Sequence, residues 1–472
     1  MAAGAPGARG MGATATDPHA SAAHAEHRLT TLGSGLRIAT ERVPSVRSAA
    51  LGFWISSGSA GELQDEAGIS HLLEHMLFRG TEHFGSEEID QIFDAMGAEI
   101  NAGTDKEATS VYTRVLDRHL ARAFEVMTEM VWAPRFGELE AERQVVLEEI
   151  AMYEDDPQDL VFDLLGRAVF GTHPLGRPVI GRAEVIAAAT REQLAAFHQR
   201  RYLPQEIVIA AAGSVDHDEL VALVEGSPYP SASGAGTPDP APNGEEGREE
   251  VPGPEPRLEF LAKDTEQYHV CLGANGLARE DERRFALRVL EGILGGTSSS
   301  RLFQEVRERR GLAYSIFSFS NLYSHAGEVG LYVGTRPDNL KEALAVVAAE
   351  LERVVEDPAS EEELVRSREN LKGRVVLGME STGARMSRLG TSLLHGMPIL
   401  SVDEIIARID SVQLEDLREL ARELFAPGRM SVVGIGPERE RMLGALEPLA
   451  LGAGAAVRDL PSSGGEANGA AA

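Results

Sequence analysis

A run of prolines near the middle of the chain sets the first limit on its fold. Ser227 to Pro256 carries Pro228, Pro230, Pro238, Pro240, Pro242, Pro252, Pro254 and Pro256, interleaved with Gly, Ser and Glu. Such a stretch cannot bury enough apolar surface to offset its ordering entropy, so it is expected to be a flexible linker between two folded halves. The halves share a pattern. Tyr202-Leu203-Pro204-Gln205-Glu206 followed by Ile207 to Gly213 closes the first. Phe425-Ala426-Pro427-Gly428-Arg429 followed by Met430 to Gly436 closes the second. His71-Leu72-Leu73-Glu74-His75-Met76-Leu77 can be laid beside Arg288-Val289-Leu290-Glu291-Gly292-Ile293-Leu294, with the apolar positions kept and both histidines replaced. A duplicated α/β domain follows, with metal chemistry in the first copy only.

Within the first half, hydrophobic spacing predicts strands over 49–56 and 109–116. It predicts helices over 68–78, 87–96, 120–131 and 138–154, the last stopped by Pro157. This mixture fits an α+β fold in which a sheet carries helices on one face. The expected divisions are a tail over 1–27, a first domain over 28–226, the linker over 227–256, a second domain over 257–450 and a tail over 451–472.

Composition narrows the function. The 472 residues carry a formal charge of −29, which argues against nucleic acid, because phosphate contacts need clustered Lys and Arg. The acidity reads either as a solvated surface or as an interior that attracts basic peptides. The single cysteine, Cys271, rules out an intrachain disulfide and reads as a buried strand position. No apolar run is long enough to span a membrane. The Ala- and Gly-rich first residues lack an apolar signal core, so the chain reads as cytoplasmic.

The chemistry sits in His71 to His75. Residues four apart on a helix stack one turn apart, so two imidazoles face one point, as a tetrahedral zinc site needs. Glu74 lies beside the same face, placed to take a proton from a water at the metal. The plainer reading is a pair of helix histidines in a polar crevice. A third ligand is expected to be a carboxylate on the 138–154 helix, which offers Glu138, Glu140, Glu142, Glu148, Glu149 and Glu154, and spacing alone does not choose among them. Glu142 and Glu149, seven apart on one face, suggest one ligand and one supporting residue, in either order. His83, His119, His198, His217, His325 and His395 have no ligand-spaced partner.

These segments together resemble the insulinase/pitrilysin family of inverted-motif zinc peptidases, near its processing-peptidase branch. The resemblance rests on Gly68-Ile69-Ser70-His71-Leu72-Leu73-Glu74-His75-Met76-Leu77-Phe78-Arg79-Gly80-Thr81, on Glu142 to Ile150, and on His173-Pro174-Leu175-Gly176-Arg177-Pro178-Val179-Ile180-Gly181. It spans roughly Leu29 to Leu449. It implies two homologous α/β-sandwich domains, each a mixed or antiparallel sheet with packed helices, as in the LuxS/processing-peptidase-like fold. It also implies one Zn²⁺ per chain on His71, His75 and Glu149, with Glu142 supporting and Glu74 as base. Asn101-Ala102-Gly103, which reads as a loop on its own, is implied to be an edge strand that binds extended peptide. Arg307 and Tyr314, seven apart, are implied to contact substrate and the developing oxyanion.

The activity implied is hydrolysis of peptides or unfolded segments in a clam-like chamber, by a homodimer or with a related subunit. Two rivals remain: a non-catalytic partner subunit, and a peptide-binding scaffold with structural zinc. A structural site would be closed by four protein ligands.

Overall fold

The computed structural model describes residues 27–229, 255–426, 428–449 and 457–460. Nearly all of the expected N-terminal tail and most of the linker lie outside the described residues.

Two six-stranded sheets carry the chain. The first comprises β1 (His27–Thr31), β2 (Arg37–Arg42), β3 (Ser48–Ile55), β4 (Ile100–Thr104), β5 (Thr109–Leu116) and β6 (Ile207–Gly213), in the order β1-β2-β6-β3-β5-β4. The second comprises β7 (Leu258–Ala262), β8 (Tyr268–Gly276), β9 (Ala313–Leu322), β10 (Gly327–Thr335), β11 (Ser431–Gly436) and β12 (Val457–Leu460), in the order β12-β7-β11-β8-β10-β9. Five strands match one for one. β6 and β11, the runs after the two proline turns, pair parallel to one neighbour and antiparallel to the other. The duplication read from the sequence is therefore present in the topology. The outermost strands differ: β1 precedes β2 and runs antiparallel to it, whereas β12 arrives from the C-terminal end and runs parallel to β7. Val457–Leu460, inside the stretch expected to be a tail, is thus part of the sheet.

Helices on one face of each sheet were expected, and the structure corrects this in part: the central strands are covered on both faces, while β5 keeps Tyr112, Arg114 and Leu116 exposed on one. Along β6, Ile207, Ile209 and Ala211 join the core under the helices of their own half, while Val208, Ala210 and Ala212 face the other way. This is the two-residue alternation of a strand buried on both sides. The second face is covered from the other half. Helix Thr382–Leu394 brings Met386 and Leu389 against Ala39, Ala50, Trp54 and Val208 of the first sheet. Reciprocally, helix Pro157–Phe170 lays Val161, Leu165 and Ala168 against Cys271, Tyr332, Val433 and Ile435 of the second. Pro157 therefore begins this helix, with Asp156 as its N-cap, as well as following the previous one.

Each exchange is sealed by a buried glutamate on equivalent strands. Glu41 of β2 pairs with Arg385 and, at 2.6 Å, with Arg388. Glu259 of β7 pairs with Arg167 at 3.1 Å. Gly390 lets the exchanged helix lie flat on Trp54, since a Cβ there would come within 2.2 Å of the indole. Trp54→Ala is expected to lower stability by about 3–5 kcal/mol, as large-to-small changes at aromatic core positions do. The fall in the urea midpoint for the whole chain checks it.

Candidate active site

The segment 69–76 becomes a helix because Ile69, Leu72, Leu73 and Met76 recur at helical spacing and are buried. His71, Glu74 and His75 are left on the opposite side. The helix starts at Gly68, which has φ +99° and no side chain to cap the first turn. The buried Glu62 carboxylate does this instead, accepting from the N–H groups of Gly68 at 2.8 Å and Ser70 at 2.7 Å. Burial pushes the Glu62 carboxyl up to about 7, against these two donors that favour its ionised form. Gly181 meets Gly68 so closely that a Cβ on it would lie 2.2 Å from the Gly68 Cα.

Helix Leu139–Asp155 buries Leu139, Glu142, Val146 and Ile150 and presents Glu149 to the histidines. The two Nε2 atoms are 3.3 Å apart, and Glu149 Oε2 lies 3.7 Å from that of His71 and 3.5 Å from that of His75. Four ligands around zinc at about 2.0–2.1 Å sit about 3.3–3.4 Å from one another, so this triangle fits the ion and leaves one position open. Glu142 is buried and lies 2.7 Å from His75 Nδ1, and Arg79 pairs with its other oxygen. An ionised carboxylate only accepts, so His75 Nδ1 carries the proton and Nε2 keeps its lone pair for a metal. Burial, with His75 beside it, holds the His71 imidazole down to about 4, neutral as a ligand must be.

Glu74 faces the same cavity, of about 320 Å³, together with His71, Gly103, Thr104, Glu149 and Asp163. Its Oε2 accepts from the Thr104 hydroxyl at 2.6 Å, and burial raises its carboxyl above the usual range. Asn101, Ala102 and Gly103 lie in β4, which among the described residues is the last strand of its sheet, with β5 on one side only. Arg307 and Tyr314 stack on each other, the guanidinium carbon 4.5 Å from the ring centre, and Tyr314 is 77% exposed. Neither lines this cavity.

Sequence reasoning missed Thr104, Arg79 and Glu62, and read 173–181 only as a marker of resemblance. That segment builds part of the site: Val179 and Ile180 line the cavity, and Arg177 and the Arg182 backbone bind the loop before Gly68. None of the other histidines singled out joins the cluster among the described residues.

The second half keeps the glutamate and loses the donors. Glu291 Oε2 accepts from Ser320 Oγ of β9 at 2.7 Å, as Glu74 does from Thr104 of β4. Arg288 stands where His71 does. Gly292 replaces His75 and lies under Ser367 of helix Glu361–Gly378.

Among the described residues, this duplicated α/β-sandwich chain carries a His-His-Glu cluster able to hold a metal in its first copy and none in its second. The chain belongs to the insulinase family, peptidase family M16: that family's model matches residues 37–183, and the model of the peptidase M16 inactive domain matches residues 188–371. An uncharacterized zinc protease of Streptomyces coelicolor is 42% identical over 416 residues, covering 88% of this chain and 90% of the relative. The uncharacterized zinc protease YmxG of Bacillus subtilis is 40% identical, covering 84% of this chain and 95% of its own. A protease from Helicobacter pylori shares the fold at a TM-score of 0.78 and 21% identity, covering 88% of this chain and all of the other. No helix among the described residues is long and apolar enough to cross a membrane.

Proposed function

We propose that the chain is a zinc-dependent endopeptidase, with zinc on His71, His75 and Glu149 and Glu74 as general base. The observation that carries this is the donor triangle of 3.3, 3.5 and 3.7 Å, sharing its cavity with a carboxylate that is not a donor. Zinc bound there would supply Lewis acidity for a peptide carbonyl and an attacking water. Glu74 takes that water's proton and passes it to the leaving amine, and its burial suits it to hold the proton in between. Thr104 fixes the direction of the carboxylate.

The free edge of β4 at Asn101-Ala102-Gly103 binds the substrate backbone as an added strand, which favours extended or unfolded chains. The chain's formal charge of −29 favours basic peptides on approach. Arg307, half-buried, and Tyr314, exposed, both outside their own chain's cavity, donate to the developing oxyanion across a closed chamber formed with a second, related chain.

On a Lys- and Arg-rich unstructured peptide, the purified protein is expected to hold about one zinc per chain. Cleavage is expected to stop with a chelator and return with zinc. A zinc-replete protein that leaves such peptides intact rejects the reading. Glu142→Ala should weaken zinc binding by about 10–100-fold, because His75 loses the partner that orients it. Competition with a zinc-indicator dye measures this.

A further inference from the structure

The turn that joins β4 to β5 belongs by sequence to the first half, whose Ser59 and Ala60 N–H groups donate to Asp105 O at 3.1 Å and Lys106 O at 2.7 Å, yet its one buried carboxylate is held by the second. Glu107, 7% exposed, accepts from the Ser324 N–H with both oxygens, at 2.9 and 3.1 Å, and pairs with Arg279 at 3.1 Å. His395, after the exchanged helix 382–394, lies 4.0 Å away. All three belong to the second half. Ser324 sits in the turn joining β9 to β10, the counterpart of the turn that carries Glu107. Arg279 is fixed to the same corner, its N–H donating to Tyr323 O at 2.7 Å and its guanidinium to Leu322 O at 2.8 Å.

On its other side the turn runs directly into the site. Asp105 N donates to Ala108 O at 2.7 Å, closing the turn between Thr104 and Thr109, whose hydroxyls are 3.3 Å apart. Thr104 is the residue whose hydroxyl holds Glu74. Only two residues separate Glu107 from that threonine, and among the described residues β4 has no neighbour on its outer edge to hold it. An edge strand with one partner depends on its turn for register.

We infer that Glu107 is a positioning residue: through it the metal-free half fixes the β4–β5 turn, and so the Thr104 hydroxyl that aims Glu74. It rests on the peptidase reading above. The second half then contributes to catalysis within its own chain, apart from any contact it makes with substrate.

The test is a double-mutant cycle of Glu107→Gln and Thr104→Val, read by peptide cleavage, zinc content and amide hydrogen exchange. Glu107→Gln is expected to lower kcat about tenfold with zinc content unchanged, the scale of a small misplacement of a reacting group. In the Thr104→Val background it should lower kcat no further. Exchange over residues 100–109 should quicken while the 69–76 and 139–155 helices keep their protection. Effects that multiply, or wild-type exchange over 100–109, overturn the inference. Should Glu107→Gln fold poorly with Arg279 left unpaired, Glu107→Gln with Arg279→Gln removes both charges and carries the same measurements. If the wild type cleaves nothing, the peptidase reading falls, while the exchange comparison still decides what Glu107 holds.

Discussion

Glu74→Gln is expected to cut peptide cleavage by about 10²–10⁴-fold, the range for losing one positioned general base, while zinc stays bound. The amide keeps the size of the carboxylate, and its oxygen still accepts from Thr104, so the cavity keeps its shape. None of the three metal donors is touched, because Glu74 faces the cavity beside them without joining the triangle. What disappears is the ability to take a proton from water and deliver it to the amine. Loss should therefore fall on kcat, with KM and zinc content near wild type. Equal rates for the two proteins would remove Glu74 from the mechanism. Loss of zinc in the variant would instead make it a ligand.

The second large effect is expected at a residue that touches no donor. Gly181→Ala places a methyl group 2.2 Å from Gly68 Cα and 2.6 Å from Ala67 O, at a backbone φ of +84°. The left-handed conformation costs about 1–2 kcal/mol for a residue with a Cβ. Overpacking adds about 1–3 kcal/mol. Neither neighbour is a side chain that can swing away, so the strain passes to the start of the 69–76 helix, where His71 is the third residue. A marked fall in melting temperature and in zinc affinity is expected together. Gly137→Ala is the control, since nothing lies within 4 Å of its Cβ. Wild-type zinc affinity in Gly181→Ala would show that the glycine contact does not set the helix.

Much of this molecule was legible in one dimension. The spacing of His71, Glu74 and His75 fixes their relation within one helix, because helix geometry is local. Glu142 and Glu149, seven apart, are legible in the same way as a pair on one face. Choosing between them took either the resemblance or the fold, since periodicity assigns both to that face equally. The duplication was also legible, in the two proline turns and in the helix that keeps Glu291 while losing its histidines. Asn101-Ala102-Gly103 was not, because no residue in it favours a strand and only the ladder to β5 makes it one.

By itself, then, the sequence determined the two-copy plan, the helix with its two imidazoles and a carboxylate beside them, and the family. Tertiary structure alone decided that each sheet is covered from behind by a helix of the other half. It also decided that Thr104 donates to Glu74, that Glu62 and Gly181 meet the start of the 69–76 helix, and that Glu107 ties the β4–β5 turn to the second half. The physical reason is range. A pattern within one helix is set by 3.6 residues per turn, whereas a buried carboxylate acquires its partner only when the sheets bring distant segments together.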